Sequence, residues 1–265
     1  MTAPRFVVVG GGTAGWLTAL ILQASFRQAA RPLEITVVES SKLPTIGVGE
    51  GSTAVFRQML LRLGFDEREF LRETDATIKF GIRHKDWRRV GVTYDGPIDD
   101  PHLVVDGPGY DGRDPWLDVF SVAAGRPVAE KHLFQHLLAG ERSPFAPKAD
   151  GGTIAVGPYH HAYHFDQAKV GAWLRRKSRG IAVVDAQVMG AERDPGTGDV
   201  TALRLDEGEP VPGDVFFDCT GFRRALIGRE MGAAWQSFGD RMPVNRAMPF
   251  WLDIADGAEL PPYTL

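Results

Sequence analysis

The sequence predicts an α/β fold that opens on a Rossmann-type, nucleotide-binding βαβ unit. Three observations lead there. A short β-branched and aromatic run, Arg5 to Val9, passes directly into Gly10-Gly11-Gly12-Thr13-Ala14-Gly15. A helical pattern follows, with Trp16, Leu17, Leu20, Ile21 and Ala24 on one broad face. A second strand, Glu34-Ile35-Thr36-Val37-Val38-Glu39, then ends on an acid. Strand, glycine turn, helix, strand and acid come in the order such a unit requires.

The spacing Gly10-x-Gly12-x-x-Gly15 allows a tight turn and lets backbone approach a pyrophosphate closely, with the positive end of the helix facing it. Glu39 lies where it can accept hydrogen bonds from ribose hydroxyls. The turn by itself suits FAD and NAD equally, and glycine-rich turns also occur without a nucleotide.

Beyond this unit, residues 46–51 read as a glycine-interrupted loop. Ser52 is expected to cap a helix whose apolar positions are Val55, Met59, Leu60 and Leu63, with Gly64 as its stop. A further helix is expected over Glu67 to Thr74. From about Asp86 to Gly152, Gly, Pro and Asp punctuate the text densely, and only Pro127 to Leu138 reads as helix. Long irregular stretches in compact proteins tend to carry function, so this one is read as an insertion covering a site. Asp166 then caps a helix carrying Val170, Trp173 and Leu174. Strands follow at Ile181 to Asp185, Val200 to Leu205 (after the turn at residues 194–199) and Asp214 to Cys219. Residues 1–85 are thus read as the first part of a cofactor domain, 86–152 as an inserted cover, and 153–265 as the domain's continuation.

Composition narrows the function classes. A formal net charge of −4 and alternating charge signs give no basic face for nucleic acid. The lone cysteine, Cys219, cannot form an intrachain disulfide or a Cys-rich zinc site, and the histidines show no paired ligand spacing, so no metal is expected. No apolar run is long enough to span a membrane, and the run before Gly10 is too short for a secretory signal. These features point to a cytoplasmic protein; the oligomeric state is not readable.

Several segments together resemble the flavin-dependent tryptophan halogenase family. Val9 to Trp16 is similar to that family's FAD turn, Ile46-Gly-Val-Gly-Glu50 to its flavin strap, and Ala76-Thr-Ile-Lys-Phe-Gly-Ile82 to the segment bearing its catalytic lysine. Ala162-Tyr-His-Phe-Asp166, Asp218-Cys-Thr-Gly-Phe-Arg223 and Pro243-Val-Asn-Arg-Ala247 resemble later landmarks, in the same order. The resemblance implies a Rossmann-type FAD domain of the flavoprotein monooxygenase kind. It implies FAD contacts from Gly10, Gly12, Thr13, Ala14, Gly15, Glu39, Ser40, Leu43, Ile46, Val48, Glu50, Val188 and Gly221. It further implies reduced FAD delivered by a separate reductase, a flavin hydroperoxide attacked by halide, and hypohalous acid passing to Lys79 beside an electron-rich aromatic ring. A lysine can hydrogen-bond the oxidant as an ammonium or form a haloamine when neutral, whereas arginine keeps its proton. His102 is a candidate for lining the aromatic pocket.

Two departures qualify the likeness. Gly51-Ser52-Thr53-Ala54 stands where tryptophan-specific members carry Ala-Thr and a proline, which opens the substrate to indole or another electron-rich arene. The family's Trp-x-Trp-x-Ile-Pro motif, a later glutamate and the halide site do not occur in these 265 residues, so the chain is read as the N-terminal half of such a protein. A flavin monooxygenase on the same scaffold and a non-catalytic FAD-binding fragment stand as alternatives.

Overall fold

Parallel strand pairing organises the first half of the architecture. The computed structural model describes residues 3–28, 33–43, 48–98, 124–125, 137–142, 145–155, 161–242 and 244–265. Strand β1 (Arg5–Val9) lies between β2 (Glu34–Glu39) and β14 (Val215–Asp218), and β10 (Ala182–Asp185) extends the sheet beyond β2. All three pairings are parallel. Val7, Val8 and Val9 are almost fully buried, as expected of a central strand covered on both faces.

Helix α1 (Thr13–Ser25) buries Gly15, Trp16, Ala19 and Leu20, while Ile21, expected on the packed face, is exposed. The buried set falls one step back around the helix because α1 packs on both its sheet and the helix α4 (Gln167–Lys177). Asp166 caps α4 as expected, accepting from the amides of Ala168 and Lys169 at 2.8 and 3.1 Å. A strand the sequence reading missed, β11 (Val188–Arg193), forms an antiparallel sheet with β12 (Val200–Leu205) and β13 (Val211–Pro212). Its Met-Gly-Ala-Glu text lacks the β-branched density that flags a strand, and pairing with β12 supplies what local propensity does not.

The chain divides into two compact units, residues 1–48 with 166–252, and residues 49–165 with 253–265. This differs from three consecutive segments divided at 85 and 152. In the second unit, β3 (Gly49–Gly51), β9 (Ala162–Asp166) and β4 (Thr77–Lys79) form one sheet, so distant stretches are joined by cross-strand bonds. A second sheet orders β15 (Tyr263–Thr264), β5 (Gly81–Lys85) and β6 (Thr93–Pro97). Most of the expected insertion, including most of the helix expected over Pro127 to Leu138, lies outside the described residues. Two short strands, β7 (Phe145–Pro147) and β8 (Thr153–Ala155), form a hairpin across its expected C-terminal boundary.

Helix α2 (Ala54–Arg62) starts two residues after Ser52, and its N-cap, Thr53, makes no side-chain bond. Ser52 instead accepts from the Tyr163 amide through Oγ at 2.9 Å, because β3 and β9 are neighbours. Val55 is correspondingly exposed, and Ala54 and Leu60 are the buried positions. Helix α3 (Glu67–Thr74) has the predicted bounds and is capped by Asp66, which accepts from the Glu69 amide at 2.8 Å.

Glu67 anchors this unit. Its Oε1 accepts from Arg57 Nε at 2.8 Å, lies 2.7 Å from His161 Nε2, and accepts a short hydrogen bond from the Tyr163 hydroxyl. The Tyr163 ring packs against Phe56 and Phe70. Burial alone would raise the carboxyl's pKa, but the bonds from His161, Arg57 and Tyr163 outweigh it and hold the group well below the usual carboxylate range. Glu67→Gln is therefore expected to cost about 2–3 kcal/mol in urea unfolding at pH 7, as a charge-assisted acceptor is lost. A depressed folded-state pKa contributes stability that is present above the ordinary value of 4.5 and is lost as pH falls further. Wild-type stability should thus fall below that pH, while the glutamine variant changes less; parallel pH curves for the two would refute the assignment.

Candidate active site

The chain leaving β1 must turn sharply. Gly10 sits at φ +112°, a conformation open to glycine without strain, and its amide donates to the Val38 carbonyl at 2.8 Å. A Cβ at Gly10 would run into the Cys219 carbonyl, one at Gly11 into the Glu39 carboxylate, and one at Gly15 into the Gly10 carbonyl. Gly12 is different: no atom lies within 4 Å of where its Cβ would stand. Three glycines therefore let the turn pack, and Gly12 keeps the approach to the α1 amides clear. Gly11, outside the motif spacing, is crowded by the Glu39 side chain.

Gly12 is the extended N-cap of α1, with no side-chain cap and no acid in the first turn. The first amides thus keep the partial positive charge of a helix start. Thr13 and Ala14 open the helix. The Thr13 hydroxyl donates to the Gln167 carbonyl at 3.3 Å.

A cleft of about 90 Å³ beside the turn gathers Gly10, Glu39, Ser40, Leu43 and Val188 of the expected set. It adds Thr220 and Arg223, which belong to the Asp218–Arg223 segment but were given no role, and Arg229, which no motif had singled out. The Ser40 hydroxyl is buried and, among the described residues, has no hydrogen-bond partner. Such a group calls for a polar ligand. The Glu39 carboxylate accepts from Arg175 Nε at 2.9 Å, but that guanidinium is 54% exposed, and such a pair holds weakly. Gly221, at φ +60°, does not line the cleft; Thr220 beside it does.

Asp218 shapes that edge. Its carboxylate accepts from the Thr220 hydroxyl at 2.6 Å and from the Thr220, Leu226 and Ile227 amides at 3.1, 2.8 and 2.9 Å. Burial opposes its charge, yet these bonds prevail and keep its pKa below the ordinary value. The Val48 carbonyl accepts from the Gln167 amide at 3.2 Å, which fixes the end of the strap segment to the start of α4. Ile46 and His102 lie outside the described residues.

In the second unit Lys79 closes strand β4 and is 4% exposed. A lysine in that position would ordinarily be solvated. Its ammonium donates to the Ser52 carbonyl at 3.3 Å, and among the described residues no carboxylate lies within ion-pair distance of it. Burial consequently lowers its pKa. His164 and Thr264 share its neighbourhood, their side chains 2.8 Å apart. His164 falls in the Ala162–Asp166 segment but was given no role there, and Thr264 carried no signal. The alternation of β9 carries the signal for His164, since Tyr163 and Phe165 must face the core and His164 the other side. Glu50, on β3, is exposed.

The sequence profile of the tryptophan halogenase family matches residues 5–265. Tryptophan 6-halogenase SttH of Streptomyces toxytricini is 31% identical over 281 residues, covering 98% of this chain and 52% of that protein. Among solved structures, the flavin-dependent halogenase BrvH from Brevundimonas sp. BAL3 superposes with a TM-score of 0.70 at 35% identity, over 90% of this chain and 46% of that one. Another flavin-dependent halogenase, Xcc4156 from Xanthomonas campestris, gives 0.71 at 32% identity, over 90% and 46%. The chain spans about half the length of the curated relatives it matches. By its sequence over nearly its whole length and by its fold, the chain belongs to the tryptophan halogenase family.

Proposed function

We propose that this chain provides the FAD-binding turn and the lysine of a flavin-dependent halogenase acting on an electron-rich aromatic ring, tryptophan or an indole-like compound. Reduced FAD comes from a separate flavin reductase, and halide is the co-substrate. The observation that carries the reading is Lys79: a buried amine with lowered proton affinity and no carboxylate partner among the described residues. Burying a cation without a counter-charge is costly and needs a purpose.

The first unit suits FAD. The uncapped amides of α1 would meet the pyrophosphate, Gly12 leaves room for it, and the buried Ser40 hydroxyl with Glu39 would meet the adenosine side. When bound, reduced FAD supplies oxygen chemistry that turns halide into hypohalous acid. Lys79 does the rest. As an ammonium it donates a hydrogen bond to the hypohalous oxygen and polarises the halogen. As a free amine it takes the halogen itself, forming an N–halogen bond as the oxygen leaves in water together with one amine proton. Either way the electrophile is held at one nitrogen. Burial shifts Lys79 toward the neutral form. Glu50, Ile46 and Val48 belong to the strap in this reading, and His102 to the aromatic pocket.

Two measurements test this. Gly12→Ala, with open space at its Cβ and an ordinary φ, should melt within about 1 °C of wild type yet bind FAD at least about tenfold more weakly by flavin fluorescence titration. Gly10→Ala should instead lose about 1–3 kcal/mol of stability. A Gly12→Ala variant with wild-type affinity would remove the pyrophosphate from the turn. The second assay incubates the chain with FAD, a flavin reductase, bromide or chloride, and tryptophan or indole, and reads products by mass. Halogenated product should fall at least about a hundredfold in Lys79→Ala while FAD binding persists. Hydroxylated product would indicate direct use of the flavin oxidant, and FAD binding without product a non-catalytic role.

A further inference from the structure

Residues from three distant parts of the chain meet beside Lys79. In the antiparallel register of β4 and β9, Lys79 stands opposite Ala162 and Thr77 opposite His164. His164 is therefore the diagonal neighbour of Lys79 on the same sheet face. Thr264 of β15 places its hydroxyl 2.8 Å from His164 Nε2. That hydroxyl is 3.1 Å, and Lys79 Nζ 2.8 Å, from the position a Cβ on Gly51 would take. Hydroxyl and amine thus crowd the place a Cβ at position 51 would take, which glycine leaves free.

We propose that Thr264 and His164 are positioning residues for Lys79. His164 Nε2 accepts the Thr264 hydroxyl proton, which turns the hydroxyl's lone pairs toward the ammonium and stabilises its charged form. The proposal rests on Lys79 being the reacting amine, and it adds the groups that set the amine's direction and proton affinity.

The surroundings support this polarity. Burial, and after it the charge of Lys79, lowers the proton affinity of His164, so its ring stays neutral and can accept. Among the described residues, the other charged groups on the adjoining strands are engaged or in solvent: Asp166, two positions past His164, accepts from the Ala168 and Lys169 amides. Glu50 on β3 is exposed, and Arg83 on β5 is paired with Asp95 at 2.8 Å and with the Tyr263 hydroxyl at 2.8 Å. The Ser52 carbonyl and the Thr264 hydroxyl are then the dipoles that offset the burial of the ammonium. Without an acceptor at His164, the Thr264 proton can swing toward the amine and favour its neutral form.

The test follows the Lys79 side-chain resonance (¹³Cε, ¹⁵Nζ) through a pH titration of lysine-labelled protein, assigned with Lys79→Arg. His164→Leu and Thr264→Val should each lower the Lys79 midpoint by about one pH unit, a tenfold gain in neutral amine at a given pH. His164→Gln should keep the wild-type midpoint, because its amide oxygen can accept the same proton. A merely structural histidine would leave Gln and Leu alike. An unchanged or raised midpoint in Thr264→Val, or the same shift in Gln and Leu, overturns the proposal. If His164→Leu fails to melt cooperatively, Thr264→Val and His164→Gln decide. The titration needs neither FAD nor turnover, so failure to halogenate counts against the function above and leaves this result standing.

Discussion

Parallel pairing of β1 between β2 and β14 is the constraint from which the first unit follows. The register sets Val9 level with Val38 on one side and Asp218 on the other. Three strands thus end together, and the chain leaving Val9 must escape between the Cys219 carbonyl and the Glu39 carboxylate. No side chain fits at Gly10 or Gly11, and the Gly10 carbonyl excludes one at Gly15. The helix that follows is pinned by its buried Trp16. Its uncapped start is thereby held beside the cleft that Gly10 lines.

Strand β9 has the comparable role in the second unit. Its alternation sends Tyr163 and Phe165 into an aromatic cluster with Phe56 and Phe70, and sends His164 to the face it shares with Lys79. Glu67 ties the strand to α2 and α3 through Tyr163 and Arg57. The aromatic packing and the Lys79 neighbourhood are thus built on opposite faces of one short strand. The packed face fixes the strand, so a cation can be kept buried at a defined place.

Elements stated by local chemistry were legible in advance. Arg5–Val9, Glu34–Glu39 and Glu67–Thr74 carry their bounds in apolar density, periodicity and caps, and Asp166 announces the helix after it. Other elements depended on partners. The strand at Val188–Arg193 exists because β12 lies beside it, and Ser52 binds a neighbouring strand's amide in place of a helix start. At the sites, Gly10, Glu39, Ser40, Leu43 and Val188 do meet at one cleft, whereas the pairing of Glu39 with Arg175 had no local signal.

The amino-acid order alone determined the glycine turn, the strand–helix–strand unit around it and the presence of a lysine in a telling segment. Those depend on spacing and backbone freedom over a few residues, which a linear text records. Only the tertiary structure decided that this lysine is buried, that His164, Thr264 and Gly51 surround it, and that Asp218 braces a turn. Burial and proton affinity arise from groups far apart in the chain that strand register brings within a few ångströms, and register is a property of the assembled sheets.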